Sequence, residues 1–312
     1  KDINNTSKFT SHSVKKKIIT KDQIDKIGAI DIIDVINSLP SINITQSGPK
    51  GQQASMFMRG TGSNHVLVMI NGVAINDQST TQGLHDFGVD FIQTIQQIEV
   101  YEGPGSANFG PNAIGGAVNI ITTGDLKDYT KFSSRDKKNY NFIFNKNFIS
   151  DNSNLYNFKF GAVERKTKSA RFSGNEIDGM KNLTGNFNFE KWIDNFQFTN
   201  STYLRETIAE YDSSASNENN FTGNNKMLTT QFNLSHFKEN SKNELIFYHN
   251  LYDRKYNEQG TNDYYESNAT GIKYNFAKSF DEISYGYGSE YRYDSGEFVN
   301  NGTYSASTKG NY

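Results

Sequence analysis

Residues Gly103 to Gly110, GPGSANFG, are the stretch whose glycine spacing could cradle a phosphate. A phosphate loop ends in Lys followed by Ser or Thr and opens a helix. This one does neither, so a nucleotide site is not expected. The histidines His12, His65, His85, His236 and His249 show no metal-ligand spacing such as H-E-x-x-H. His65 opens a strand and reads as structural. His249, within Leu245–Tyr252, is expected to face a lumen or an interface. No Ser/His/Asp spacing suggests a nucleophile with its base, and the absence of cysteine removes thiol chemistry and any disulfide framework. The residues point to binding rather than catalysis.

The elements that would position a binding site come in two textures. The chain has 312 residues, a hydrophobic fraction of 35%, 13% aromatics and a net charge of −2. Mean hydropathy is −0.71. Disordered chains are poor in aromatics, yet this one carries 23 Phe and 18 Tyr. Few apolar residues with many aromatics and much Asn suit strands with one wet and one greasy face. The near-zero charge implies no polyanion partner, and nucleic acid is not expected. No apolar run is long enough for a membrane helix. Lys1 is not an initiator Met and no signal peptide is visible, so the natural chain is expected to start upstream.

Up to about Gly124 the pattern is a small α+β unit. Lys1–Lys17 reads as a polar linker. Lys16–Thr20 is β-like, and Thr20 with Asp22 and Gln23 starts a helix. Asp31–Leu39 has helical spacing of Ile and Val and is stopped by Pro40. Strands are expected at Ile42–Thr45 and Met56–Arg59. His65–Ile70, Asn71-Gly72 and Val73–Asn76 form a hairpin, because both central residues of its turn need positive φ. Val89–Gln96 reads as a helical turn. Two further β-rich runs, Ile98–Tyr101 and Ala117–Ile121, flank the loop holding Gly103, Gly105, Gly110, Gly115 and Gly116.

After Gly124 the chain alternates with period two. Tyr156, Phe158, Phe160 and Ala162 share one face, and Asn157, Lys159 and Gly161 the other. Phe196 and Phe198 alternate with Gln197 and Thr199, and Tyr285, Tyr287, Tyr291 and Tyr293 with Gly286, Glu290 and Arg292. This is the pattern of membrane barrel strands. Short links are expected near 149–153, 192–194, 239–241 and 279–282. Long polar links are expected near 165–180, 211–224, 254–266 and 296–303. Barrels alternate short periplasmic turns with long extracellular loops in this way; a soluble sandwich gives no reason for it.

The order Met58-Arg59-Gly60, Val66–Val73 with Asn71-Gly72, Ile98-Glu99-Val100, Gly103-Pro104, Phe109-Gly110 and Ala113–Ile121 with Gly115-Gly116 resembles the plug domain of TonB-dependent outer-membrane receptors. Two departures stand out: Asn71 replaces the usual Asp of the hairpin, and Glu102 replaces the usual Arg before Gly103-Pro104. The resemblance implies an α+β plug domain followed by antiparallel transmembrane β-barrel strands. It divides the chain into an N-terminal linker at 1–17, the plug at 18–124 and the N-terminal part of the barrel at 125–312. About ten strands are expected, against roughly 22 in plugged outer-membrane transporters, hence an incomplete barrel.

The resemblance further implies the outer membrane of a Gram-negative bacterium, outer-membrane lipid around the barrel, and active uptake of a scarce nutrient. Energy would come from TonB, captured through a segment upstream of Lys1. Ile44-Thr45-Gln46 and Gly60–Val68 are closest to the cobalamin receptor branch. A corrinoid is therefore the first expected ligand, an iron–siderophore or haem the alternative, and a passive porin or adhesin the reading of another class. Carried over by position, ligand contacts fall on Gln52, Ser55, Thr80 and Thr81. Glu176, Asp178, Tyr211 and Asp212 resemble loop motifs that hold calcium in that branch. No other cofactor is expected.

Overall fold

The computed structural model describes residues 15–80, 82–105, 109–110, 112–136, 139–150, 154–168, 177–212, 221–258, 261–280, 283–300 and 304–311. The first part builds two small sheets. Strands β1 (Lys15–Thr20), β6 (Gln97–Glu102), β7 (Gly116–Ile121), β4 (Val66–Ile70) and β5 (Val73–Ala74) form one, in that spatial order; β2 (Ile42–Gln46) and β3 (Ala54–Met58) form the other. Only the β4–β7 pairing of the larger sheet is parallel; the rest is antiparallel.

Two short helices, α1 (Lys21–Ile27) and α2 (Ile32–Ile36), follow β1. The Thr20 amide donates to Gln23 Oε1 at the start of α1 (2.9 Å), and the Asp34 amide donates to Asp31 Oδ1 at the start of α2 (2.9 Å). Both contacts satisfy amides that a helix start leaves open. The second helix is shorter than its sequence pattern predicts, ending at Ile36 rather than Leu39. The expected turn before β6 is two short 3-10 segments, Phe87–Val89 and Ile92–Thr94.

The core between sheet and helices holds Ile24, Ile32, Val35, Ile36, Met56, Met58, Val68, Ile98, Val100 and Val118. Tyr203, Met227 and Tyr252 from the second part belong to the same cluster. The first part is thus packed against the wall supplied by the second.

That wall is a ten-stranded antiparallel sheet in chain order. Its strands are β8 (Tyr129–Asp136), β9 (Asn139–Ile149), β10 (Leu155–Lys168), β11 (Ile177–Ile193), β12 (Phe196–Glu210), β13 (Thr222–Lys238), β14 (Ser241–Glu258), β15 (Thr261–Ser279), β16 (Ser284–Asn300) and β17 (Tyr304–Asn311). Among the described residues the sheet is not closed, and β8 and β17 are its two edges. Its faces are inverted relative to a water-soluble sheet. On β10, Phe158 and Phe160 are 44% and 41% exposed, whereas Asn157 and Lys159 are 4% and 2% exposed. On β12, Leu204 and Ile208 are exposed while Arg205 and Thr207 are buried against the plug. Apolar side chains turned outward and polar ones turned inward suit lipid outside and a folded plug inside.

Two expectations need correction. The links near 254–266 and 296–303 are not long: β14 continues to Glu258, β15 begins at Thr261, and β16 continues to Asn300. Polar residues on both faces hid these strand ends, because beyond the lipid neither face needs to be greasy. His249 points to the outer face, in register with Thr270, and its Nδ1 lies 2.7 Å from Thr270 Oγ1. That contact gives the ring a polar partner on the lipid side.

Candidate functional site

Two plug loops rise toward the strand ends that carry the longer links. In the first, the Ser47 amide donates to the Gln53 carbonyl (2.9 Å), and Gln46 Nε2 donates to the Pro49 and Gln52 carbonyls (both 3.2 Å). The second is tied by Thr80, whose hydroxyl donates to the Asp77 carbonyl (2.9 Å) and accepts from the Leu84 amide (2.6 Å). Gln52 Nε2 reaches across to the Glu210 carbonyl at the end of β12 (3.0 Å).

Between the first of these loops and the ends of β12–β15 lies a cavity of about 330 Å³. Gln52, Asp86, Tyr211, Tyr256, Glu258 and Tyr265 are among its lining residues. A smaller cavity of about 20 Å³ adjoins it and is lined by Ser55, Thr80, Asp86, Arg205 and Arg254, among others. Gln53, Asp86 and Asn225 line both. Gln52 thus lines the larger cavity, while Ser55 and Thr80 line the smaller one, where the Thr80 hydroxyl is already engaged within its loop. Thr81 lies outside the described residues.

Around the smaller cavity the plug is fastened to the wall by buried charge. Asp90 pairs with Arg205 of β12, and its other oxygen meets His85 Nε2 at 2.6 Å. Asp77 pairs with Arg254 Nε of β14 at 2.8 Å and accepts from the Ser267 hydroxyl of β15 at 2.7 Å. Arg205 also donates to Asn225 Oδ1 (3.1 Å), and Thr207 Oγ1 donates to the Val89 carbonyl (3.0 Å). Burial pushes the Asp90 carboxyl up, but Arg205 and His85 outweigh it and hold it below the usual carboxylate range. Burial leaves Asp86 above that range, because the Ala54 and Gly88 amides that donate to it offset the desolvation only in part.

At the opposite, short-turn end the hairpin tip is tied to the wall by amides. Asn71 (φ 49°) and Gly72 (φ 86°) make the positive-φ turn read from the sequence. Asn71 Nδ2 donates to Thr122 Oγ1 (2.9 Å) and Ser201 Oγ (2.8 Å), and its Oδ1 accepts from the Thr122 amide (2.9 Å). Gln231 Nε2 donates to the Asn71 carbonyl (3.3 Å), Asn186 Nδ2 to the Thr122 carbonyl (2.9 Å) and Asn250 Nδ2 to the Ala74 carbonyl (2.8 Å). Sequence reading missed these wall residues. Their signal was present: each lies on the polar face of its strand.

The remaining motif residues shape the plug itself. Arg59 and Gly60 form the turn after β3, with φ of 51° and 76°. The Arg59 guanidinium sits beside Gly103, 2.9 Å from where a Cβ would stand. Pro104 and Gly110 belong to the loop between β6 and β7, closed by Gly103–Gly115 and Gly105–Ala113 backbone hydrogen bonds of 3.2 and 2.8 Å. The Gly115 amide donates to the His65 carbonyl (2.9 Å). At Gly116 (φ 155°) any side chain would run into the Tyr101 carbonyl and the Met58 sulfur. Glu102 pairs with Lys17 at 2.6 Å, so the charge reversal at this position is matched by a lysine of β1.

The calcium candidates are only partly visible. Glu176 lies outside the described residues. Asp178 stands near the start of β11 and Tyr211 and Asp212 just past the end of β12, at neighbouring strand ends given the Met180↔Ala209 register. The Tyr211 hydroxyl donates to Glu258 Oε1 (2.9 Å). Among the described residues no three acidic or histidine side chains gather closely enough to hold a metal.

Residues 8–117 match the family model described as the TonB-dependent Receptor Plug Domain. Solved structures share the whole arrangement. The siderophore receptor PiuA from Acinetobacter baumannii is 14% identical with a TM-score of 0.73; the match covers 92% of this chain and 46% of that one. The ferric yersiniabactin uptake receptor FyuA from Yersinia pestis is 14% identical with a TM-score of 0.58, covering 97% and 61%. The copper transporter OprC is 12% identical with a TM-score of 0.69, covering 87% and 44%. The chain thus spans about half the length of the solved proteins it matches, and at such identities the likeness is one of fold. Residues 8–117 thus match a TonB-dependent receptor plug domain, and the strands that follow have the fold of part of the barrel of the matched structures.

Proposed function

We propose that the protein is a receptor for TonB-dependent active uptake of a chelated metal, with an iron–siderophore type of ligand as the first reading. It acts as a transporter rather than an enzyme. The observation that supports this reading is a pair of adjoining cavities between plug and strand ends, the larger lined by Gln52 and the smaller by Ser55 and Thr80 together with Asp77, Arg205 and Arg254 of the two buried ion pairs. A ligand seated there would touch the same residues, Asp86 and Asn225, that border the fastening. Binding energy and plug attachment are therefore in contact, as a gated pore requires. The names of the matched structures carry siderophores, ferric yersiniabactin and copper, which favours a metal chelate over the corrinoid expected from plug motifs.

The test is uptake of radio-iron chelates by iron-starved cells with and without TonB. Uptake that needs both this protein and TonB, with binding that needs only the protein, is expected. Uptake that continues without TonB would show a passive pore. Calcium-dependent binding of a corrinoid, with no ferric chelate bound, would return the ligand to the first expectation.

A further inference from the structure

The outer cavity has a chemical bias of its own. Its described lining includes the carboxylates of Asp212, Glu258 and Asp263, the buried acid Asp86, and no Lys, Arg or His. It also includes Tyr211, Tyr256 and Tyr265, which run as a chain of aromatic contacts: Tyr211 to Tyr256 with centroids 6.1 Å apart, and Tyr256 to Tyr265 at 5.9 Å. The nearest guanidinium groups belong to the adjoining small cavity, and both are already committed. Arg205 is paired with Asp90. Arg254 is paired with Asp77 and lies over the Tyr265 ring, 4.5 Å from its centroid. Lysines at the outer end of β10, Lys166 and Lys168, do not line the cavity.

We infer that this cavity takes a metal chelate that is neutral or positively charged and turns away polyanionic chelates. The inference rests on the uptake reading above and narrows it. Tyrosine faces attract cations and tolerate neutral rings and methylenes. Carboxylates at close range repel an anion strongly in a partly desolvated space, and a like charge without a partner costs affinity directly. A polyanion would need an uncommitted cation, and the described lining supplies none.

Ferric chelates sort cleanly on this property. Each hydroxamate carries one negative charge, so three of them neutralise the ferric ion, and a pendant ammonium makes the complex cationic. Each catecholate carries two, so three leave a trianion. The experiment measures equilibrium binding of a radio-iron ferric trihydroxamate bearing an ammonium and of a ferric tris-catecholate. Outer membranes carrying the protein are compared with membranes lacking it. The hydroxamate is expected to bind at least about tenfold more tightly. Glu258→Gln with Asp263→Asn is expected to narrow that gap by about tenfold.

Equal or tighter binding of the catecholate overturns the charge inference and leaves the uptake reading standing. Binding of neither overturns both this inference and the ferric-chelate reading. The comparison on the unaltered protein decides the matter even if the double variant fails to assemble.

Discussion

Arg205 on β12 and Asp90 on the plug form an ion pair whose side chains are 1% and 2% exposed, across 115 residues of sequence. Such a pair is weak evidence of net stability, because desolvating both charges offsets much of their attraction. Removing one partner is a different matter, since it strands the other charge out of water. Asp90→Asn is expected to weaken plug attachment by about 3–5 kcal/mol. The double change Asp90→Asn with Arg205→Met should recover part of that loss. Protease sensitivity of the plug in intact membranes reads both, and equal sensitivity of the single variant and the parent would refute the assignment.

The hairpin tip separates two contributions. Asn71 supplies a positive φ and three side-chain hydrogen bonds. Asp at this position keeps the acceptor for the Thr122 amide, and the two hydroxyls can turn to donate, so Asn71→Asp should be nearly neutral. Asn71→Ala loses the bonds and the tolerance of positive φ that Asn has and Ala lacks, costing about 2–3 kcal/mol. Thermal unfolding of the two variants compares them; equal melting temperatures would contradict the role given to the side chain.

Gly161 on β10 lies against the plug. A Cβ there would collide with the Gln93 side chain and stand 2.7 Å from Thr184 Oγ1. Gln93 is fully buried, so it has nowhere to move. Gly161→Val should therefore cost about 1–3 kcal/mol and lift the wall from the plug. Raised permeability of the outer membrane to a bulky antibiotic is the expected sign, and unchanged permeability would argue against tight seating here.

Acid should loosen β1 first. Burial pushes the Glu99 carboxyl up, but Lys16, the Tyr101 hydroxyl and the Asn119 amide outweigh it and hold it below the ordinary range. A carboxylate depressed in the folded state contributes stability above its unfolded pKa of about 4.3 and loses it as pH falls through the lower folded value. Protection of the Lys15–Thr20 amides, measured against their intrinsic exchange at each pH, should therefore fall below about pH 4, and Lys16→Met should reduce that pH dependence. Protection indifferent to pH in that window would count against the pairing.

Much of this architecture was legible before any coordinates. Period two in Tyr156–Ala162 announced the strand, and Asn71-Gly72 announced the hairpin, because each is a local rule that one stretch obeys alone. Even the outward side of Phe158 and Phe160 followed once the polar face was assigned to the plug. What could not be read was which polar residue meets which. Asp90 and Arg205, or Asp77 and Arg254, become partners only after ten strands have curved around the plug. The lengths of β14–β16 were misjudged for a related reason. Past the lipid boundary their hydrogen-bonded ladder continues with no greasy face to mark it. The ligand candidates Gln52, Ser55, Thr80 and Thr81 rest on likeness alone, while the tyrosine and carboxylate wall beside Gln52 carried no motif.

The proposed uptake requires that the plug shift against the wall. The chain has no cysteine, so a single engineered pair gives a clean lock. Val73 on the plug packs in one buried cluster with Ile246 of β14. Val73→Cys with Ile246→Cys, oxidised in intact cells, should abolish TonB-dependent uptake of the bound chelate while leaving its binding intact, and reduction should restore uptake. Undiminished uptake through the oxidised, fully cross-linked protein would contradict the claim.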